Sequence, residues 1–310
     1  MTSTTAVRRA AHWHRPLMIL VAAMALLAVV CAVGLVADSR VLTGAPIWLK
    51  PFKFSVSLAL YATTLAWMLS LLPRRSRVAE RAATVIVAMA LIEMTIIVTQ
   101  VIRGTTSHYN ETSPLNIALV IALGSTIMVL FVAHFVIGIA LLRRPPTDRT
   151  AARAVALGIG LSLLGMLVAV PMVLPSQAPD IEGVGGAHSV GVPDGGPGLP
   201  LVGWSTVGGD LRIGHFVGLH ALQALPILAI LLRRLSDRLD ERTRTRLLTI
   251  AGVAYGALTI LLTWQALRGQ PLLRPDALTL AATATLAVGT ATATVLTLAR
   301  RRRPELALAA

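Results

Sequence analysis

Cysteine and acidic residues are scarce in this sequence. Its 310 residues include 14 Asp and Glu against 28 Lys and Arg, and a single cysteine, Cys31. One cysteine excludes a disulfide framework and every Cys-x-x-Cys metal or redox motif. Cys31 lies inside the first apolar run, so we expect it to act as a small buried hydrophobic residue.

The short motifs of common enzyme classes are also missing. The sequence contains no Gly-x-Ser-x-Gly, no His-Glu-x-x-His, no His-x-x-x-His and no Cys-x-x-Cys-His. It has no glycine-rich loop that ends in Gly-Lys-Ser or Gly-Lys-Thr. These absences argue against a serine hydrolase, a zinc protease, a c-type cytochrome and a P-loop nucleotidase.

What the chain does contain is apolar surface. Hydrophobic residues make up 55% and charged residues 14% of the chain, and the mean hydropathy is +0.74. A soluble domain of this length is more polar, which places the protein in a lipid bilayer. The net charge of +14 comes from basic clusters at the ends of apolar runs, as topology signals do. We therefore expect no nucleic-acid partner.

The apolar runs predict an all-α integral membrane protein, a single helical domain over residues 1–310. Crossing about 30 Å of hydrocarbon takes about 20 residues. Eight runs qualify: 16–37, 48–72, 82–102, 115–142, 154–174, 211–232, 247–267 and 277–299. The first run is too long for a signal peptide, and we expect it to be a retained helix.

Arginine placement predicts the orientation of these spans. Alternate connections hold 21 of the 28 basic residues, in the clusters 8–15, 74–81, 143–153, 233–246 and 300–303. Lysine and arginine accumulate on the cytoplasmic side of membrane proteins. Both termini are therefore predicted inside, and the Gly/Pro-rich segment 175–210 is predicted to form a cap on the outer face.

Polar residues in and near the spans predict a funnel that opens outward. Ionisable groups within a bilayer are costly and usually face a bundle interior or a water-filled cavity. We expect Glu93 and His220, both near mid-depth, to form a proton-linked gate. The other candidate binding residues are Lys53, Gln100, Arg103, His108, Arg212, His215 and Gln223, with His188, Asp194 and Asp210 from the cap.

Simpler roles stay open for several of these residues. Lys53 and its neighbour Lys50 follow Trp48, and both fit side chains that snorkel at the membrane interface. Arg103 and Arg212 fit as anchors of helix ends. His134, within an apolar run, is expected to be a packed and hydrogen-bonded histidine rather than a ligand.

Two functions from different classes fit this pattern. One is binding or transport of a small polar or anionic solute, or of a lipid headgroup, through the polar funnel. The alternative is a membrane-embedded haem- or metal-dependent oxidoreductase that uses the outer-face histidines His108, His188 and His215. A structural or assembly role, in which the outer face docks another subunit, is a third possibility.

Three segments carry a resemblance to a family of bacterial membrane proteins. They are RGTTSHYN from Arg103, GGAHSVGVPDGGPGLPLVGWS from Gly185 and GDLRIGHFVGLHALQALP from Gly209. Together they resemble segments of a family of multi-pass membrane proteins of uncharacterised function. The resemblance implies residence in a bacterial cytoplasmic membrane, and it implies no activity, ligand or mechanism.

Overall fold

The architecture is that of a helical, multi-pass membrane protein, as predicted. The computed structural model describes residues 13–174 and 182–307, with side chains up to Arg300. Within that part, eight helices are long and apolar enough to cross a membrane. They are α1 (Arg15–Ala37), α2 (Leu49–Ser70), α3 (Arg77–Ile102), α4 (Pro114–Arg143), α5 (Arg149–Leu167), α6 (Arg212–Arg233), α7 (Glu241–Leu267) and α8 (Ala277–Ala307).

Some of the sequence-based expectations fall outside the described residues. Arg8 and Arg9, counted among the topology signals, lie there, as do the side chains of Arg301–Arg303. So do residues 175–181, the first part of the predicted cap. The orientation of the helices in the membrane stays a prediction.

Helices α3, α5 and α7 begin five or six residues before the apolar runs that predicted them. Capping residues cause the difference, because each side chain accepts a hydrogen bond from an amide of the first turn. Ser76 accepts from the amide of Ala79 in α3, Asp148 accepts from that of Ala151 in α5, and Asp240 accepts from that of Thr243 in α7. Each of these helices therefore carries a polar first turn in addition to its apolar span.

Helix α5 ends earlier than the run to residue 174 predicted. Its last α-helical residue is Leu167, and a 3-10 turn, Val170–Val173, follows. Pro171 lies in this turn and has no N–H with which to continue the helical ladder. The segment Arg149–Val173 still has 25 residues, enough to span.

Small residues bring neighbouring helices into backbone contact. A Cβ atom on Gly165 of α5 would lie 2.5 Å from the carbonyl carbon of Gly218 on α6. One turn earlier on α6, Gly214 faces α7, where a Cβ would lie 3.1 Å from the amide nitrogen of Thr263. Gly214 and Gly218 form the small-xxx-small pair in α6. Gly214 packs against α7, and Gly218 packs most closely against Gly165 of α5.

Ordered loops collect at one end of the bundle, which we call the polar end. There the Gly185 amide donates to the Tyr109 carbonyl at 2.9 Å, and the Leu211 amide donates to the His188 carbonyl at 2.9 Å. Two antiparallel strand pairs add to these loops: β1 (Val41–Leu42) with β2 (Ala45–Pro46), and β3 (Ser189–Val190) with β4 (Gly209–Asp210). We call the opposite end the arginine end.

Candidate functional site

Lys50, in the first turn of α2, is a cation without a direct partner. Within the described part of the chain it makes no hydrogen bond and no ion pair. Lys53 and Arg212 are among its electrostatic neighbours, and its acidic neighbours, Glu93 and Asp194, lie beyond ion-pair distance. The surrounding protein also desolvates the ammonium. Lys50 is half-buried, so a hydrogen-bonding anion at this position would replace the part of its solvation that the ammonium has lost.

Glu93 of α3 is similarly unpartnered. Its side chain is buried, with 6% exposed, and makes no hydrogen bond or ion pair with a described residue. Its electrostatic partner is Lys50. Across the described residues, Arg244 Nε is the single fully buried side-chain nitrogen or oxygen that lacks a hydrogen bond. The Lys50 ammonium and the Glu93 carboxylate therefore both border space that water can reach.

His188 and Asp194 form a fixed pair within the Gly/Pro-rich segment. The His188 Nδ1 lies 2.6 Å from Asp194 Oδ2, and the carboxylate also accepts from the amides of His188 and Ser189. Burial alone would raise the pKa of Asp194, but these hydrogen bonds outweigh it and hold the pKa below its ordinary value. Burial lowers the pKa of His188, which favours the neutral ring.

His215 of α6 is oriented by the backbone of α5. Its Nδ1 lies 2.7 Å from the carbonyl oxygen of Gly165. A carbonyl accepts only, so Nδ1 carries the proton and donates, and in the neutral ring Nε2 keeps a free lone pair. The same argument applies to the neutral form of His188, whose Nδ1 donates to Asp194. Both histidines therefore present a hydrogen-bond acceptor.

His108 and Tyr109 join this group from the α3–α4 loop. Tyr109 has a φ of 59°, a left-handed conformation that is rare for a bulky residue, and its ring packs edge-on against His188 at 5.1 Å between centroids. Burial, and then the positive charge of Lys50, lower the pKa of His108 well below its ordinary value. We name the following set the polar cluster: Lys50, Glu93, His108, Tyr109, His188, Asp194, Arg212 and His215.

Asp210 and Arg212 join the polar cluster to the loop above it. Asp210 is 0% exposed and receives two guanidinium hydrogen bonds from Arg212, at 2.9 and 2.6 Å. The Arg212 Nη2 also donates to the Gly203 carbonyl at 2.6 Å, and Lys53 Nζ donates to the Val202 carbonyl at 3.0 Å. Three of the predicted binding residues therefore hold the loop in place.

Gln100 and Arg103 belong to a separate, self-contained network. Arg103 Nη1 donates to Gln100 Oε1 at 2.6 Å and to Asn116 Oδ1 at 2.9 Å. Asn116 in turn donates to Asn110 and Thr112 of the same loop. These side chains close the α3–α4 connection. The structure does not bring Gln100 and Arg103 into the polar cluster.

His220 and Gln223 lie deeper along α6. His220 Nδ1 is 3.3 Å from Gln223 Oε1, and Gln223 Nε2 donates to Thr64 of α2 at 3.3 Å. Within the described residues no hydrogen bond or ion pair joins His220 to Glu93, so the expected gate pair is not formed. Lys50 is the residue that interacts electrostatically with Glu93.

His134 has the packed, hydrogen-bonded environment that the sequence predicted. It is 0% exposed, with Nδ1 2.8 Å from the Tyr61 hydroxyl and Nε2 2.9 Å from the Ser162 hydroxyl. Ser162 donates to the Ile159 carbonyl, so its oxygen accepts from Nε2–H, and Nδ1 accepts from Tyr61. This fully paired chain joins α2, α4 and α5.

The predicted metal ligands are His108, His188 and His215. Within the described residues, no group of three or more His, Cys, Asp or Glu side chains is arranged to hold a metal ion. His188 interacts electrostatically with His108 and also with His215. They do not form a three-ligand site among themselves.

Lys50 and Tyr109 are the members of the polar cluster that sequence reasoning undervalued. The sequence allows Lys50 to snorkel at the membrane interface, but its position on α2 relative to Tyr61 places it towards the interior of the bundle. It precedes Tyr61 by eleven residues, which is about 20° from three full turns and puts both on one face of α2. Tyr61 faces the bundle through its bond to His134. For Tyr109, no sequence signal marked its left-handed backbone.

Comparison of the chain with protein-family models, with curated proteins and with solved structures finds no match.

Proposed function

We propose that the protein binds a small anionic solute at the polar cluster and transports it across the membrane. The observation that supports this most strongly is Lys50, a half-buried ammonium with no hydrogen bond or ion pair to a described residue. A desolvated and unpaired charge is unfavourable in the protein alone, and an anionic oxygen bound at Lys50 relieves that penalty. Lys53 and Arg212 add positive potential nearby.

The hydrogen-bonding groups around Lys50 narrow the class of solute. Lys50 donates to an anionic oxygen, whereas neutral His188 and His215 each offer an Nε2 lone pair that accepts. A solute that satisfies both has an anionic oxygen and an O–H or N–H donor. A hydroxycarboxylate and a singly protonated phosphate monoester both meet this requirement.

Glu93 supports a proton-linked form of this transport. An anion at Lys50 places a second negative charge near Glu93, and two like charges in a low-dielectric site favour retention of a proton. Binding would then take up a proton together with the solute. In this proposal Glu93 acts with Lys50, and His220 has no direct part in the gate.

The arginine end is proposed to face the cytoplasm, with both termini inside and the polar cluster opening outward. The bias of basic residues supports this orientation. A membrane-impermeant maleimide tests it, because Cys31 is 0% exposed and gives little background. A cysteine placed at Gly196, in the Gly/Pro-rich segment, should label in intact cells. Labelling that requires cell lysis would reverse the orientation.

Thermal unfolding of the purified protein tests the binding step. Lactate, phosphate and glycerol 3-phosphate are compared with chloride at constant ionic strength. We expect at least one of them to raise the Tm, because a ligand at 100 times its Kd stabilises by about 2.7 kcal/mol. Lys50→Gln should abolish the shift, and Lys50→Arg should preserve part of it.

Arg40→Gln is the matched control for Lys50. Arg40 is a cation at the same end, but it is exposed and paired with Asp38 at 2.6 Å, so its loss should leave the anion-induced shift unchanged. A shift that survives in Lys50→Gln, or no shift with any anion tested, contradicts the binding proposal. Uptake of the stabilising anion into proteoliposomes then tests transport, and Glu93→Gln should remove its dependence on a pH gradient.

One observation favours the redox alternative. Nδ1 of His188 and of His215 is held by an acceptor, and this arrangement commonly orients histidines that bind a metal through Nε2. A haem or metal held there would make the protein a membrane oxidoreductase. An optical spectrum with metal analysis of the purified protein distinguishes the two functions. A Soret band or stoichiometric metal that disappears in His215→Ala would support the alternative.

A further inference from the structure

A long groove crosses the lipid-facing side of the bundle between α7 and α8. Its volume is about 610 Å³. It is lined by Arg153 of α5, by α7 between Thr245 and Ala254, and by α8 between Thr285 and Thr297. The α8 portion covers twelve residue steps, or about 18 Å, which is close to the depth of one leaflet.

The floor of the groove is apolar even though threonines line it. The hydroxyls of Thr249, Thr290 and Thr297 donate to carbonyls one turn earlier in their own helices, at 2.7–2.8 Å. The donors of these hydroxyls are thus used within the helix, and the lining of the groove is mainly apolar. At Gly289 an added Cβ meets nothing within 4 Å, so the floor is also open there.

Two arginines lie at one end of this apolar floor. Arg153 and Arg246 are both exposed, and neither forms a hydrogen bond or ion pair within the described residues. Both are near the arginine end, where α5 and α7 begin. The groove therefore combines an apolar floor about 18 Å long with two unpaired positive charges at the end where α5 and α7 begin.

We propose that this groove binds an anionic phospholipid, with the phosphate between Arg153 and Arg246 and one acyl chain along the α7–α8 floor. The two guanidinium groups can bind phosphate oxygens in bidentate geometry. Charge complementarity favours a headgroup with a net negative charge, because the cation of a zwitterionic headgroup would be repelled by the two arginines. The lipid-facing position of the groove makes a bilayer lipid its natural occupant. This site is independent of the solute proposed for the polar cluster.

Native mass spectrometry of the detergent-solubilised protein tests the proposal. The full chain is titrated with phosphatidylglycerol and, separately, with phosphatidylcholine of the same acyl chains. We expect tighter binding of phosphatidylglycerol. In Arg153→Gln/Arg246→Gln the affinity for phosphatidylglycerol should fall by about tenfold or more, since each basic residue near a lipid headgroup contributes about 1 kcal/mol. Arg143→Gln/Arg144→Gln is the control and should bind as wild type does.

A second pair of variants tests the floor without changing any charge. Gly289→Leu fills the groove, whereas Gly124→Leu places the same side chain on α4; a Cβ at either position meets no atom within 4 Å. We expect Gly289→Leu alone to weaken binding of both lipids. Equal affinity of wild type and the groove arginine variant for phosphatidylglycerol would overturn the proposal. So would a protein dimer that Gly289→Leu dissociates, because a second copy would then occupy the groove.

Discussion

The crossing of α5 and α6 allows one substitution to be tested at two positions of the same helix. Gly165→Ala adds a Cβ that would lie 2.5 Å from the Gly218 carbonyl carbon and 2.8 Å from its Cα. These are backbone atoms, so the helices must separate rather than a side chain rotate. Gly160→Ala adds the same atom where nothing lies within 4 Å.

The expected effects have opposite signs. Replacing an interior helical glycine by alanine favours the helix by up to about 1 kcal/mol, and Gly160→Ala should gain that amount. At Gly165 the same gain is opposed by overpacking, which costs about 1–3 kcal/mol. We therefore expect Gly165→Ala to unfold more easily than Gly160→Ala by about 1–3 kcal/mol.

Unfolding in detergent micelles, followed by tryptophan fluorescence, measures this difference. Gly165→Ala should also impair anion binding, because the Gly165 carbonyl holds His215 Nδ1 at 2.7 Å and moves with α5. Gly160→Ala should bind normally. Equal stability of the two variants would refute the inferred backbone contact, and normal binding by a destabilised Gly165→Ala would refute the coupling to His215.

Two further predictions concern polar groups that the fold has paired. Tyr61→Phe leaves His134 Nδ1 as a buried, unpaired acceptor, so the free energy of unfolding should fall by about 1–3 kcal/mol; no change would contradict the hydrogen-bonded chain. Asp194 has a pKa below its ordinary value, so the folded state binds fewer protons and the carboxylate stabilises it above about pH 4. The Tm difference between wild type and Asp194→Asn should therefore shrink as the pH falls below about 4.

Helices were predictable from the sequence because span length and apolar content are dictated by the bilayer. The boundaries of the helices were less predictable. A capping residue such as Asp240 is polar and lies outside the apolar run, and Pro171 changes the α-helix to a 3-10 turn within an apolar run. Helix neighbours were harder still. Gly160 and Gly165 are both small residues of α5, yet only one of them lies against α6.

The site divides in the same way. Composition singled out the polar residues, but spacing alone could not tell which of them the protein itself would pair. Gln100 and Arg103 are used within the α3–α4 loop, and Asp210 is paired with Arg212. Such partners come from loop conformation, which a single sequence encodes weakly. The helical phase puts Lys50 on the same face of α2 as Tyr61, but the structure was needed to show, through the Tyr61–His134 hydrogen bond, that this face meets the bundle.

Pairing also separates the residues that maintain the fold from those proposed to bind a ligand. Charged groups that a fold removes from bulk water are normally paired by the protein, so Lys50 and Glu93, which have no direct partner among the described residues, are retained at a cost to stability. Replacing buried charges by apolar groups is often neutral or stabilising, by about 1–4 kcal/mol. Lys50→Met/Glu93→Met should therefore unfold no more easily than the ligand-free wild type while losing the anion-induced rise in Tm. A double variant that is strongly destabilised without ligand would assign both residues to the fold and remove the main support for a solute site.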